Sequence, residues 1–267
     1  MEIDNPWLMA AASAIVVGTV MFALWLLSLR HRNFSYVDIG WSANFALLAL
    51  LHVALAPGWL PRKLLIGTLF AIHGLRLALH LWKRIAGQPE EGRYVQLRRE
   101  WGASGNLNLK FLAFFEFQAA LNVFLSLPLL LACMNRWEGW LTLEGIGAAI
   151  CIVGLLGESL ADAQLAAFKR DPANKGAVCD VGLWRYSRHP NYFFEWVIWI
   201  GYAVFASASG PYGWLAVAAP LLMLHFLLNV TGVKATEEQA LRSKGERYRA
   251  YQARTSAFVP WIPRKVP

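Results

Sequence analysis

Hydrophobic residues occur along the chain in long, nearly uninterrupted stretches that short polar segments separate. An α-helix rises about 1.5 Å per residue, so it needs about 20 mostly apolar residues to cross a hydrocarbon core about 30 Å thick. Backbone polar groups must be paired inside lipid, which favours helices over open sheets. We predict an all-α, polytopic membrane helix bundle with about seven transmembrane helices, at residues 7–29, 37–55, 64–81, 109–133, 140–160, 192–205 and 212–230.

Lysine and arginine are distributed unevenly over the polar segments. The segments that follow the first, third, fifth and seventh predicted spans contain 21 of the 25 basic residues, and the opposite side contains three. Because cytoplasmic loops are rich in Lys and Arg, we expect the N-terminus outside and the C-terminus in the cytoplasm of a bacterial inner membrane. The first span lacks a basic start and a cleavage pattern, so it is predicted to remain as an anchor.

The composition agrees with a membrane protein and excludes several other classes. Hydrophobic residues make up 57% and charged residues 16%, against about 45–50% and about 25% in soluble domains. These values argue against a soluble enzyme, a disordered chain and a disulfide scaffold. The three cysteines form no Cys-x-x-Cys pair, so neither a disulfide framework nor a metal site is indicated. The basic residues lie on four short loops, which argues against nucleic-acid binding.

Ionisable side chains interrupt several of the predicted spans, and such groups are costly at membrane depth and often functional. Asp38 and Glu144 lie near span ends, where water can solvate them. His52 and His225 lie alone on apolar faces, which is typical of hydrogen-bonded packing residues. The remaining candidates are Arg76, Glu116, Glu158, Asp162, Glu195, His73 and His80.

Two carboxylates lie on one face of the fifth predicted span. Glu158 and Asp162 are four residues apart, and Lys169 and Arg170 follow about two turns later. Such a helix can place acceptors for ribose hydroxyls beside donors for phosphate. The alternative interpretation is an ordinary charged helix end.

The densest group of polar residues lies in residues 182–199. Arg188 and His189 precede a helix that we expect to begin near Asn191, and Glu195 follows Asn191 by four residues on the same face. Positive charge ahead of the free N–H groups of a helix N-terminus suits an anion. The alternative is an interfacial belt of Trp, Tyr and Arg.

Residues 162–260 carry a recognisable pattern. It comprises Asp162, Lys169, GLWRYSRHPNY at 182–192, Glu195, Glu237, Glu238, GERY at 245–248, Tyr251 and FVP at 258–260. The pattern resembles the steroid 5-alpha-reductase superfamily, and most closely its bacterial branch. Members of that superfamily are seven-helix membrane reductases that bind NADPH from the cytoplasmic side and reduce a carbon–carbon double bond conjugated to a carbonyl.

The resemblance implies a set of cofactor-binding residues. It implies that Asp162 and Lys169 hold the adenosine and phosphate part of NADPH, and that Asn191, Glu195 and Trp199 contact the cofactor inside the bundle. With their neighbours, the candidates are Glu158, Asp162, Lys169, Arg170, Arg188, His189, Asn191, Tyr192, Glu195, Trp199, Glu237 and Tyr248.

The substrate side departs from the steroid reductases. Those enzymes polarise the ketone with a glutamate and a tyrosine, and this chain has neither at the positions that can be aligned. His73 stands where the tyrosine is expected, and the second span offers Asp38. Glu116 and Tyr94 are the other catalytic candidates. We therefore expect a hydrophobic small-molecule substrate and do not assume a steroid.

We expect one integral membrane domain, residues 1–267, with the substrate side in 1–133 and the cofactor side in 134–267. The bilayer is the expected partner, and no required protein partner is evident. Two other functions stay open. S-adenosylmethionine-dependent methyltransferases of isoprenylcysteine or phospholipid also carry Arg-His-Pro-x-Tyr before a span and paired glutamates that suit an amino group. A non-enzymatic lipid-binding or transport protein would use the same polar cluster for a lipid head group.

Overall fold

The computed structural model describes residues 2–102 and 105–265, and the regular secondary structure in these ranges is helical. Within them the only extended pairing is a single parallel bridge between Ser187 and Ser256. The described helices are α1 (Pro6–His31), α2 (Tyr36–Leu55), α3 (Leu60–Ile85), α4 (Gly92–Gly102), α5 (Leu107–Leu125), α6 (Leu127–Met134), α7 (Thr142–Arg170), α8 (Pro190–Ser207), α9 (Ala218–His225), α10 (Val233–Lys244) and α11 (Glu246–Arg254).

Several of the described helices are long and apolar enough to cross a bilayer. Five such segments occur within the described ranges: α1, α2, α3, α7 and the stretch Gly213–Lys244, which contains α9 and α10. The bent pair α5 and α6 makes a sixth if it is counted as one span. The prediction of an all-α bundle with several apolar spans is confirmed. Helix α8 has 18 residues and is not among these segments.

The predicted fourth span, 109–133, is broken in two. Helix α5 ends at Leu125, α6 begins at Leu127, and the two axes meet at an angle of 41°. Pro128 lies at the start of α6, where its missing N–H and its ring do not allow α5 to continue. The hydropathy pattern does not reveal this bend, because proline is apolar.

The chain forms two compact units. Unit 1 comprises Met1–Thr142 and Ala206–Leu215, and unit 2 comprises Leu143–Phe205 and Ala216–Pro267. Each unit is described by itself below. The predicted division into a substrate side and a cofactor side stays a prediction.

In unit 1, α1 packs against α2 and α5, and α2 packs along α3. The approach of α2 and α3 is close, because a Cβ at Gly74 would lie 2.7 Å from the carbonyl oxygen of Ser42. Buried amides join α2 to α5: Asn44 Nδ2 donates to Asn122 Oδ1 at 3.0 Å, and Asn122 Nδ2 donates to the Trp41 carbonyl at 3.0 Å. Interhelical hydrogen bonds of this kind fix the register of membrane helices.

A buried arginine organises the loop that follows α6 in unit 1. The Arg62 guanidinium donates to the carbonyl oxygens of Asn135, Trp137 and Gly139 at 3.0, 2.6 and 2.8 Å. Its neighbour Lys63 donates to the Ala56 carbonyl at 2.6 Å. These bonds satisfy carbonyl groups of the segments that follow α6 and α2, which have no helical partner.

In unit 2, α7 and α8 approach each other through small residues. A Cβ at Gly154 on α7 would lie 2.9 Å from the backbone nitrogen of Ile198 on α8, and a Cβ at Gly201 would lie 2.6 Å from the backbone nitrogen of Cys151. Glycine at such positions lets helix backbones pack closely in a membrane. This contact brings the polar residues of the two helices together.

Thr236, followed by Glu237, Glu238 and Gln239, resembles an N-cap with an acidic first turn, so the sequence predicts one short C-terminal helix from there to about Tyr251. The structure differs from this prediction. Helix α10 begins earlier, at Val233, and the Thr236 hydroxyl donates to the Gly232 carbonyl at 2.9 Å and does not cap the helix. Gly245 separates α10 from α11 with a φ of 52° and a ψ of −126°, a conformation that only glycine adopts readily. The turn at Gly245 returns the chain toward residues 184–189.

Candidate functional site

An ion pair between Arg188 and Glu237 lies at the centre of the polar cluster in unit 2. Arg188 Nε donates to Glu237 Oε1 at 2.5 Å, and Arg188 NH1 donates to the carbonyl oxygens of Gln252 and Thr255 at 3.2 and 2.5 Å. The second Glu237 oxygen accepts from Gln252 Nε2 at 2.9 Å. Much of the donor capacity of Arg188, which the sequence assigned to an anion, is therefore used inside the protein.

His189 and Tyr192 form the side of this cluster that meets the start of α8. Their rings are stacked, with centroids 5.4 Å apart and an interplanar angle of 2°. His189 Nε2 lies 3.4 Å from Glu237 Oε1, and its backbone N–H donates to Ser187 Oγ at 3.1 Å. The Tyr192 hydroxyl is hydrogen-bonded to Thr236 Oγ1 at 3.2 Å. The His189 ring is thus held in place on both sides.

Tyr248 on α11 is buried beside the same ion pair. Burial raises the pKa of its phenol to about 12, and the neighbouring Glu237 carboxylate acts in the same direction. The hydroxyl therefore stays protonated at neutral pH and serves as a neutral hydrogen-bonding group.

The segment 256–258 runs beside residues 187–188 and is hydrogen-bonded to them. Ser187 Oγ donates to the Phe258 carbonyl at 2.7 Å, and the Arg188 N–H donates to the Ser256 carbonyl at 2.8 Å. The Tyr251 hydroxyl donates to the carbonyls of Trp184 and Ser187. Backbone bonds of this kind fix Arg188 and His189 at the entrance to α8.

Asn191 joins the first turn of α8 to α7. Its Nδ2 donates to Asp162 Oδ1 at 3.3 Å. Its Oδ1 atom is buried and has no hydrogen-bond partner among the described residues. A buried acceptor without a partner is costly, so this atom is suited to a donor that a ligand supplies.

Two further carboxylates lie deeper in unit 2. Glu195 is buried, and its Oε1 accepts from Trp199 Nε1, one turn later on α8, at 2.8 Å. Glu158 is also buried on α7. Both carboxylates are therefore shielded from solvent within unit 2.

Lysines surround a small cavity near the end of α7. The cavity has a volume of about 200 Å³ and is lined by Lys169, Lys175, Lys244 and Cys179, among others. No carboxylate lines it within the part of the chain that the structure describes. Burial raises the pKa of the Cys179 thiol, so the thiol is neutral and the lysines give the cavity its charge. Arg170 is exposed at the last residue of α7 and does not line the cavity.

Two of the four catalytic candidates meet in unit 1. The Tyr94 hydroxyl on α4 donates to Asp38 Oδ1 at 2.7 Å, and Arg93 forms an ion pair with Asp38 Oδ2. Asp38 is therefore a paired side chain and not a carboxylate solvated by bulk water. Burial and the neighbouring Asp38 carboxylate raise the pKa of Tyr94 above its ordinary value, which keeps its hydroxyl protonated.

The other two catalytic candidates lie elsewhere in unit 1. His73 is buried on α3, with its ring parallel to that of Phe45 at a centroid distance of 6.2 Å. Glu116 lies on α5 against Gly18 of α1, whose added Cβ would be 3.2 Å from Glu116 Oε2. His52, predicted to be a packing residue, is hydrogen-bonded through Nδ1 to the Leu48 carbonyl at 2.8 Å. That prediction is confirmed.

A family described as "Protein of unknown function (DUF1295)" matches residues 24–255. The chain belongs to this family. Every candidate site residue of this DUF1295 protein, from Asp38 to Tyr248, lies inside the matched region. No curated protein and no solved structure matches the chain.

Sequence reasoning missed part of the DUF1295 site. Gln252 and Thr255 contact Arg188 from 64 and 67 residues further along the chain, and no local motif marks them. Arg93, which pairs with Asp38, was also missed. Its position next to Tyr94 is the one signal that could have identified it.

Proposed function

We propose that this DUF1295 protein is a membrane-embedded, NADPH-dependent reductase. Its reaction would reduce a carbon–carbon double bond conjugated to a carbonyl in a hydrophobic, steroid-, sterol- or lipid-like substrate. The observation that carries the proposal is the Asn191 carboxamide, whose buried Oδ1 has no partner among the described residues. This acceptor is complementary to the N–H donors of a nicotinamide carboxamide. The resemblance of residues 162–260 to the steroid 5-alpha-reductase superfamily supports the same function.

The nucleotide end of the cofactor would lie along α7. Asp162 can accept from a ribose hydroxyl, and the lysine-lined cavity that includes Lys169 can hold a phosphate. Lys169 is seven residues beyond Asp162 on the same helix, a rise of about 10 Å. That spacing fits an extended nucleotide better than a compact ligand.

NADPH supplies the hydride for a reduction of this kind. In unit 2, Glu195 and Trp199 would form part of the surface of α8 that faces the cofactor. Their hydrogen bond to each other fixes the positions of both buried side chains. In unit 1, Tyr94 would act as the proton donor by exchanging its hydrogen bond to Asp38 for one to the carbonyl oxygen, with Asp38 as the group that positions the phenol beforehand. His73 and Glu116 remain alternatives for this role.

We further propose seven spans, with α8 as the sixth in chain order, the N-terminus outside and the C-terminus in the cytoplasm of a bacterial inner membrane. The distribution of 21 basic residues against three supports this orientation. The apolar helices support the bilayer as the surrounding medium. The nucleotide site would then open to the cytoplasm, where NADPH is available.

The methyltransferase alternative would use Glu237 and Glu238 to bind the amino group of S-adenosylmethionine. Both oxygens of Glu237 already accept hydrogen bonds, from Arg188 and from Gln252. The Glu238 carboxylate is 53% exposed and lies 3.8 Å from Arg242. The bonding of Glu237 favours the reductase, because a carboxylate whose two oxygens are already hydrogen-bonded is a poor receptor for an ammonium group.

Ligand binding to the purified protein tests the proposal. We expect NADPH to bind more tightly than NADH and S-adenosylmethionine in isothermal titration. Asn191→Ala should weaken NADPH binding by about tenfold or more, because a buried hydrogen bond to a ligand is worth about 1–3 kcal/mol. Asn229→Ala is the matched control, since Asn229 is exposed and its side chain lies against His225, away from the Arg188–Glu237 pair.

Binding of S-adenosylmethionine without NADPH would reject the reductase and support the methyltransferase. Equal NADPH affinity in the wild type and Asn191→Ala would show that Asn191 does not contact the cofactor. The control variant should bind NADPH as the wild type does.

A further inference from the structure

Unit 2 contains a groove that is larger than the lysine-lined cavity and is bordered by Arg188. Its volume is about 490 Å³, and it is lined by Arg188 and by residues within 252–264. Three arginines line it, Arg188, Arg254 and Arg264, and no carboxylate does so within the described residues. The groove is therefore electropositive.

The wall of this groove exposes large apolar side chains. Trp261 is 71% exposed and Ile262 is 77% exposed. Their backbone is nevertheless fixed, since the Trp261 N–H donates to the Tyr186 carbonyl at 2.9 Å and the Arg264 N–H donates to the Arg254 carbonyl at 2.8 Å. A rigid backbone that presents exposed Trp and Ile beside cations is typical of a membrane–water interface.

The position of the groove along α7 agrees with such an interface. Trp184, two residues before Tyr186, donates through Nε1 to the Ala161 carbonyl at 2.9 Å. Ala161 is the twentieth residue of α7, which begins at Thr142. A helix that starts at one boundary of the hydrocarbon reaches the other after about 20 residues. The groove therefore lies near the level at which phospholipid head groups are found.

We propose that this groove binds the phosphate group of an anionic phospholipid. Arg264 is the principal phosphate ligand, because its side chain forms no ion pair with the described residues, whereas Arg188 pairs with Glu237 and Arg254 pairs with Asp180. Trp261 and Ile262 lie along the upper part of the acyl chains. The combination of cations and exposed apolar side chains favours a phospholipid over a soluble anion, which would gain nothing from Trp261 and Ile262.

Native mass spectrometry of the full-length protein, in micelles with equal phosphatidylglycerol and phosphatidylcholine, tests the site. We expect the wild type to retain phosphatidylglycerol preferentially. Arg264→Gln should reduce this preference by about fivefold, which corresponds to one basic contact with an anionic lipid surface. Arg249→Gln is the matched control, because Arg249 is exposed on α11, pairs with Glu246 at 2.5 Å and does not line the groove.

Quenching by lipids with brominated acyl chains gives a second readout. The emission of Trp261, obtained as the difference between the wild type and Trp261→Phe, should be quenched more by brominated phosphatidylglycerol than by brominated phosphatidylcholine. An unchanged lipid preference in Arg264→Gln overturns the proposal. Release of phosphatidylglycerol by excess inorganic phosphate also overturns it, because it assigns the groove to a soluble anion. Equal quenching of the Trp261 emission by the two brominated lipids also overturns the proposal.

Discussion

Glu237 connects two parts of the candidate site through the hydrogen bonds of its two carboxylate oxygens. Its two oxygens accept from Arg188 on one side and from Gln252 on the other, and the side chain is only 16% exposed. Glu238 is the next residue in the chain and is mostly exposed. These neighbours in sequence therefore differ sharply in exposure and in hydrogen bonding.

Removal of one partner from a largely buried ion pair leaves the other charge uncompensated. We expect Glu237→Ala to lower the free energy of unfolding by about 2–4 kcal/mol. Glu238→Ala should change it by less than about 0.5 kcal/mol, because exposed pairs on helices contribute little. Thermal unfolding of the two variants in the same detergent measures the difference. Similar melting temperatures would mean that the Arg188–Glu237 pair does not stabilise unit 2.

At the scale of elements, the contact between α7 and α8 depends on the absence of side chains. An added Cβ at Gly154 would approach the Ile198 backbone nitrogen to 2.9 Å and the Phe194 carbonyl oxygen to 3.0 Å. Backbone atoms cannot rotate away as a side chain can. Gly145 lies on the same helix, and a Cβ there would meet nothing within 4 Å.

Gly145 and Gly154, two of the four glycines of α7, should therefore respond oppositely to alanine. Gly154→Ala is expected to destabilise the protein by about 1–3 kcal/mol, because α7 and α8 must separate. Gly145→Ala should be neutral or stabilising by up to about 1 kcal/mol, since alanine has the higher helix propensity. Chemical or thermal denaturation in one detergent checks both values. Destabilisation of equal size at the two sites would contradict the close packing of α7 on α8.

The elements also show what the sequence can and cannot predict. Long apolar stretches identify α1, α2, α3 and α7, because the hydrophobic requirement for crossing a bilayer is local. The bend at Pro128 escaped prediction, because an apolar proline leaves no mark in hydropathy.

Some residues of the candidate site were also identified from the sequence, and others were not. Asn191 and Asp162 were identified and lie in contact. Arg188 was expected to bind an anion, but part of its guanidinium donates to Gln252 and Thr255. These partners are distant in sequence, and no sequence pattern identifies them. Residues that belong to a local motif can be identified from the sequence, whereas contacts between residues distant in sequence cannot.

At the scale of the whole molecule, the distribution of charge is the main guide to orientation. Unit 1 has polar contacts at both ends of its helices: Arg136 pairs with Asp4 at one end, and Arg98 pairs with Glu90 at the other. The basic residues that precede α5 and those of the C-terminal helices fall on the side that we assign to the cytoplasm.

Labelling of single cysteines with a membrane-impermeant maleimide tests this orientation. The starting protein is one in which the three buried native cysteines are replaced. We expect Glu2→Cys to be labelled in intact cells and Lys265→Cys to be labelled only after lysis, because the proposed topology places the two positions on opposite sides of the bilayer. Unmodified starting protein serves as the control. Labelling of Lys265→Cys in intact cells would reverse the assignment.

The distance in sequence between Arg188 and its carbonyl partners has a consequence for biosynthesis. Those partners, Gln252 and Thr255, are made 64 and 67 residues after Arg188. The ribosome therefore completes α8 before the carbonyl partners of the Arg188 guanidinium exist. These hydrogen bonds of Arg188 can form only after α11 has been made, so a nascent protein halted between α8 and α11 would leave this guanidinium without its two carbonyl acceptors.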